Sequence, residues 1–346
     1  MPAEDREPGD EGMVGRLNLS LYGTRDAALN WTKSYTELLE KHGFIKGRHS
    51  AQNFYHPQRD IALTVHGDDF TMTGQEGNLE WIEGVLKGAY EVKVETLGPD
   101  AQKHSQEVRI LNRVLCWHPE GISYEADPRH AEIVIRELKL EGAKAVTTPG
   151  SRDEVNKAME ANGESEMKIN PEAKKTKDKV TRAFEDYGED EPEGQEEDRM
   201  LKGLEATSYR AICARLNYLS QDRPDIRYAC KEASRSMARP KVGDWGLLKR
   251  IGRYLVGNPR LRQMYEWQEE PSTVTAFVDS DWAGCKKTCR STSGGALMIG
   301  YHNISAWSQT QALVALSSGE AELYAMVKGA CHTLGLISLA VPSSCL

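Results

Sequence analysis

Between residues 151 and 204 the chain lacks the property that packed helices and strands share, an apolar side chain returning at a fixed period. The stretch holds 16 Asp and Glu against 10 Lys and Arg, and it contains EDYGEDEPEGQEED, nine acids without a base between Glu185 and Asp198. Ordering such a segment costs backbone entropy that no buried surface offsets. It therefore reads as an acidic linker. It also carries −6 of the formal net charge of −8, which leaves the rest of the 346 residues close to neutral. At 39% apolar residues the chain has enough for ordinary cores, and its length suits two or three compact units.

Before the linker, residues 1–15 are polar, rich in Gly and Pro and aperiodic, and are expected to be a disordered leader. In residues 26–44 the spacing of Trp31, Tyr35, Leu38 and Leu39 predicts one amphipathic helix that stops at Gly43. Apolar runs at Asn53–Tyr55 and Ile61–Val65, separated by HPQRD and followed by GDD and FTMTG, predict strands around tight turns. Residues 76–90 read as a helix. Residues 91–126 read as short strands (VKVETLG, VRILNRVLCW, ISYEA), and 128–141 return to a helix. The expected fold class is α+β.

After the linker, residues 205–258 read as helices, the first broken at Arg223-Pro224-Asp225 and the last carrying Leu247, Leu248, Ile251, Tyr254 and Leu255 on one face. The period then changes. Residues 273–284, 291–301 and 304–311 predict three successive strands and 317–340 a helix, in the order βββα. Charge is sorted as well: residues 227–262 hold ten Lys and Arg against Glu232 and Asp244. Arg227, Lys231, Arg235 and Arg239 recur every fourth residue, which predicts one basic face on a helix ended by Pro240. Such a row suits a phosphate backbone; a solvated helix face is the plainer reading.

The seven cysteines are odd in number and scattered, unlike a disulfide framework, so reduced thiols are expected. Cys285 and Cys289, with His302, Cys331 and His332, are spaced too loosely for a zinc site. No run approaches eighteen apolar residues and the N-terminus is acidic, so the chain is expected to be intracellular, in cytoplasm or nucleus, with no membrane partner. The strongest chemical motif is LTVHGDDFTMTG. Two-metal nucleotidyl transfer uses carboxylates beside divalent ions, and Asp68 and Asp69 on a strand-turn-strand suit it. Gly and Asp also favour turns for backbone reasons alone.

The surroundings of that motif carry a resemblance. LNLSLYGTRDAALNW (17–31), the Asp68-Asp69 turn, GISYEADPRHAEIVIREL (121–138) and VTTPG (146–150) resemble the reverse transcriptase of copia-type retrotransposons. SYRAICARLNYLSQDRPDIRYACKEASRSMARP and DWGLLKRIGRYLVGN resemble the segment joining reverse transcriptase to RNase H in that family. VDSDWAGC, RSTSGG and SAWSQTQALVALSSGEAELYA resemble its RNase H. The resemblance leaves out the disordered leader at 1–15 and the linker at 151–204, and implies a partial reverse transcriptase palm and following region at 16–150, a helical connection at 205–270 and a truncated RNase H-like unit at 271–346. It implies Asp68 and Asp69 as the palm's metal-binding pair, with Tyr22, Gly23 and Arg25 near template and incoming nucleotide. Asp279 and Glu322 correspond to two of four RNase H acids, while Asp281 and Glu320 read as solvated neighbours. Mg²⁺ or Mn²⁺ is the implied cofactor. RNA template, DNA primer and RNA–DNA hybrid are the implied partners, with no small-molecule cofactor beyond nucleotides.

The chain departs from the family pattern at His66-Gly67, where an aromatic and an aliphatic residue are usual, and at Asp26-Ala27-Ala28, usually Gln-Ala-Pro. Nothing before Arg16 reads as a strand carrying the palm's third acid, and the two later RNase H acids do not appear before the sequence closes on VPSSCL. A fragment truncated at both ends is expected, with polymerase and RNase H chemistry by descent and no activity alone. The alternative is a non-catalytic remnant that binds nucleic acid.

Overall fold

The computed structural model describes residues 20–21, 23–24, 26–150, 197–285 and 288–340. It is a mixed helix-and-sheet structure that divides into two compact units, Met1–Val94 with Gly335–Leu346, and Glu95–Leu334. No described helix is long and apolar enough to cross a membrane.

In the first unit, helix α1 (Ala27–Lys41) and helix α2 (Glu76–Ala89) pack with an antiparallel sheet of β1 (Ile45–Lys46), β2 (Asn53–His56), β3 (Ile61–His66) and β4 (Asp69–Thr73), in that order. Strand β3 shows why one side is buried: Ile61, Leu63 and Val65 point inward and Ala62, Thr64 and His66 outward. Tyr35 and Leu39 from α1 and Ile82 and Leu86 from α2 close the same core. Each such fully buried aliphatic side chain contributes roughly 1.5–3 kcal/mol. Residues 92–98 do not form the strand that their alternation predicts. Their only sheet-type pairing is a single bridge from Leu97 to Ser105.

The second unit contains a sheet in the order β5 (Glu107–Ile110), β6 (Arg113–His118), β7 (Gly121–Glu125), β8 (Arg262–Glu266). Its last pairing joins residues from both sides of the acidic stretch, with Gly121 opposite Glu266 and Glu125 opposite Arg262. Glycine is required at 121, because a β-carbon there would collide with the Tyr265 carbonyl oxygen on the neighbouring strand. The helical cluster is assembled the same way. Ala131 and Val134 of α3 (Arg129–Glu137) share a core with Tyr209, Ile212 and Leu216 of α4 (Gly203–Leu219), with Ala229 and Cys230 of α5 (Arg227–Ser234), and with Leu248 and Ile251 of α6 (Trp245–Gly257). Leu201, inside the expected linker, is buried in that core, and Met200 bridges to Lys241; residues 151–196 lie outside the described residues. Helix α3 ends four residues short of the predicted Glu141.

The break predicted at Arg223-Pro224-Asp225 is a short 3₁₀ turn over Pro224–Ile226, built on a buried ion pair. Arg223 is 1% exposed and donates to Asp225 at 2.7 and 3.0 Å and to the Asn258 carbonyl at 3.0 Å, which ties the break to the end of α6. The βββα order is also present. Strands β9 (Val274–Ser280), β10 (Thr292–Ile299) and β11 (His302–Thr310) form an antiparallel sheet with β10 in the middle, followed by helix α7 (Ser318–Ala340).

Candidate functional site

Strands β3 and β4 place Asp68 and Asp69. Their register pairs Val65 with Phe70 and His66 with Asp69, which leaves a two-residue loop of Gly67 and Asp68. Gly67 has φ +64 while Asp68 stays outside the left-handed region, the pattern of a type II′ hairpin. Both carboxylates are exposed, at the tip of strands whose other ends are anchored in the core. The carbonyl of Gly67 accepts a 2.7 Å hydrogen bond from Trp31 Nε1. No motif in the sequence pointed to Trp31 as a partner of this turn.

Of the other residues expected near nucleotide and template, Tyr22 and Arg25 lie outside the described residues. Gly23 sits at φ +91 in a turn closed by the Thr24 amide donating to the Leu21 carbonyl at 3.0 Å. Asp26 precedes α1 and accepts a 3.3 Å hydrogen bond from Asn30. Among the described residues no three His, Cys, Asp or Glu side chains converge on a common point. Asp68 and Asp69 are hard oxygen ligands of the kind Mg²⁺ takes. They fit part of the shell of one ion, not the paired ions of nucleotidyl transfer.

Asp279 lies near the end of β9, on its exposed face. It lines a 360 Å³ cavity with Arg227 and Tyr228 from α5 and with Thr292, Gly294 and Ser308 from β10 and β11. Glu322, on α7, accepts a 3.3 Å hydrogen bond from the backbone amide of Ser280, the next residue of β9. Asp279 and the residue whose amide Glu322 holds are therefore consecutive on one strand. Successive side chains alternate faces, so Asp279 and Ser280 point to opposite sides of the sheet.

Asp281 and Glu320 have structural roles. Asp281 Oδ1 accepts from the Thr292 amide and closes the end of the β9–β10 pairing. Glu320 accepts from the Leu316 amide at 2.7 Å while its own amide donates to Ser317 Oγ at 3.1 Å, a reciprocal cap at the start of α7. The Tyr324 hydroxyl and the Leu316 amide hold the Glu320 carboxyl below its ordinary range.

The basic row does not form one continuous helix face. Helix α5 ends at Ser234, whose hydroxyl donates back to the Cys230 carbonyl at 2.7 Å, and Arg239 follows in a turn, exposed, instead of on a helix reaching Pro240. The other three face the β9–β11 sheet. Arg227 donates to the carbonyls of Ser220 at 2.8 Å, Gln221 at 2.5 Å and Ala306, and its burial pushes the guanidinium below its usual range. Lys231 donates to Thr292 Oγ1 at 2.9 Å and pairs with Glu232. Arg235 pairs with Glu232 at 3.0 Å and donates to the Cys285 sulfur. Burial opposes ionisation of Cys285, but donors from Thr288 and Arg235 outweigh it and hold the thiol below its ordinary value.

No protein-family model matches the chain, and no solved structure matches it. Over 120 residues it is 39% identical to the uncharacterized mitochondrial protein AtMg00810 of Arabidopsis thaliana, covering 35% of this chain and 50% of that protein. Over 116 residues it is 39% identical to the retrovirus-related Pol polyprotein from transposon RE2 of Arabidopsis thaliana, covering 34% of this chain and 8% of the polyprotein. The retrovirus-related Pol polyprotein from transposon TNT 1-94 of Nicotiana tabacum is 24% identical over 328 residues, 92% of this chain and 21% of that protein. The chain thus spans half of the first relative and a small part of the polyproteins.

Proposed function

We propose that the chain, similar to parts of retrovirus-related Pol polyproteins from transposons, is a reverse transcriptase and RNase H segment of a copia-type retrotransposon acting on an RNA template, a DNA primer and their hybrid. The observation that carries this reading is the hairpin that joins two core-anchored strands and exposes the consecutive residues Asp68 and Asp69 at its tip. In this reading they hold a divalent ion, Mg²⁺ or Mn²⁺, and Asp279 and Glu322 are part of the RNase H set. A divalent ion bound at the hairpin supplies Lewis-acid stabilisation of phosphoryl oxygens. The chain's own contribution is to place two carboxylates on a hairpin turn in contact with solvent.

With two acids at the turn and no third joining them among the described residues, the chain is expected not to polymerise by itself. The test is primer extension on an RNA template with Mg²⁺ or Mn²⁺. Incorporation should not exceed that of the double variant Asp68→Asn, Asp69→Asn. Metal-dependent incorporation that this variant abolishes would show an active polymerase instead. Nucleic-acid binding is a separate expectation. Arg227, Lys231 and Arg235 are committed to partners within their own unit, so binding should rest on other cations such as the exposed Arg239 and should weaken as salt rises. Filter binding across a salt series checks it, and salt-independent retention argues against a phosphate contact.

A further inference from the structure

We infer that Trp31 is the positioning residue of the acidic turn, holding the residues on both sides of Asp68 and Asp69. The inference rests on the metal-binding reading of that pair. On one side the indole N–H donates to the Gly67 carbonyl at 2.7 Å. On the other the indole ring meets Phe70 edge-on, with centroids 6.0 Å apart. Gly67 and Phe70 are the neighbours of Asp68 and Asp69 in the chain, so a single side chain touches both ends of the two-acid unit. The indole is itself fixed. Tyr35 and Tyr90 meet it edge-on at 5.5 and 5.0 Å, and Tyr90 is held in turn by a 2.8 Å hydrogen bond between its hydroxyl and Ser34.

A two-residue hairpin tip in solvent is otherwise restrained only by its own strands, and β4 is an edge strand of the sheet. The bond to Gly67 adds a restraint from α1, separate from the strand pairing. An ion held by two carboxylates of one turn depends on their spacing, and a group that fixes the backbone next to them acts through that spacing. The indole N–H is the part of Trp31 that a purely packing role does not need.

The full chain, labelled with ¹⁵N-aspartate and ¹⁵N-glycine, allows Mn²⁺ binding to be followed by line broadening of the Asp68 and Asp69 amides. Trp31→Phe keeps a ring and loses the donor. Phe44→Leu disturbs the same core through its ring contacts with His56 and Trp81, and leaves Trp31 and its bond to Gly67 untouched. Trp31→Phe should weaken Mn²⁺ binding at the turn about five-fold, the size of one net hydrogen bond, and should lower the order parameters of the Gly67, Asp68 and Asp69 amides. Phe44→Leu should do neither. Equal effects of the two variants, or no effect of Trp31→Phe, would overturn the inference. If the unsubstituted chain shows no broadening at the turn, the metal reading of Asp68 and Asp69 fails, and the order parameters, measured without metal, still decide whether Trp31 fixes the turn.

Discussion

Arg223 shows how strongly one residue governs the second unit. Its guanidinium is almost fully buried between Asp225 and the carbonyls of Asn258 and Pro259, and Tyr254 donates to the same Asp225 at 3.0 Å. Removing one partner of a buried pair leaves the other charge unsatisfied. Arg223→Ala should therefore lower stability by about 3 kcal/mol in urea unfolding, and a loss within experimental scatter would contradict the pair's role. Glu125 makes a pH prediction. Arg260, at 2.6 Å through one nitrogen, and Arg262 at 3.2 Å hold its carboxyl below the ordinary value of 4.5, although its burial acts the other way. A carboxylate depressed in the fold contributes stability above its unfolded value and loses it as pH falls through the folded one. The urea midpoint should fall below pH 4.5, and the fall should be smaller in Glu125→Gln. Arg223 and Asp225 were visible in the sequence only as a helix break, because spacing of two residues says nothing of burial.

At the scale of elements, legibility followed locality. Helix α1, the alternation of β3, the turn at Gly67 and the βββα order all arise from residues close in sequence and were readable there. The cap of α7 is local too, with Ser317 Oγ accepting from the Glu320 amide, although Glu320 reads in the sequence only as a solvated neighbour; Ser317→Ala should cost about 1 kcal/mol, measured by thermal unfolding. The failures have physical causes. Alternation in residues 92–98 specifies a strand only where a neighbour exists to pair with. Every-fourth-residue spacing of Arg227, Lys231 and Arg235 locates a helix face but not its exposure, and a basic face can be satisfied by carbonyls, Thr292 and Glu232 as well as by phosphate. The β5–β6 hairpin turns through Leu111 and Asn112, both at positive φ (50 and 65), where turn statistics call for Gly or Asn, so Leu111 gave no signal. The site followed the same division: Asp68 and Asp69 were legible as a motif, whereas the bond from Trp31 to Gly67 depends on tertiary packing.

At the scale of the whole molecule, the acidic stretch separates segments in sequence that share one fold in space. Strand β8 pairs with β7, and α3 packs with α4 and α6, so neither side of residues 151–196 completes the second unit. Residues 197–346 expressed alone should not unfold cooperatively, and adding residues 1–150 in trans should restore a cooperative transition by circular dichroism. Cooperative unfolding of the C-terminal piece alone would show that the shared core is dispensable. Gly121 tests the same seam: Gly121→Val should cost about 3 kcal/mol by overpacking and speed hydrogen exchange of the β8 amides. The β7–β8 pairing also sets a timetable. Synthesis at roughly 5–20 residues per second means that the roughly 140 residues between the two strands take on the order of ten seconds to emerge. Through that interval β7 waits with an unpaired edge, open to pairing with other nascent chains, so the yield of folded protein should depend on translation speed and chaperone supply as much as on final stability.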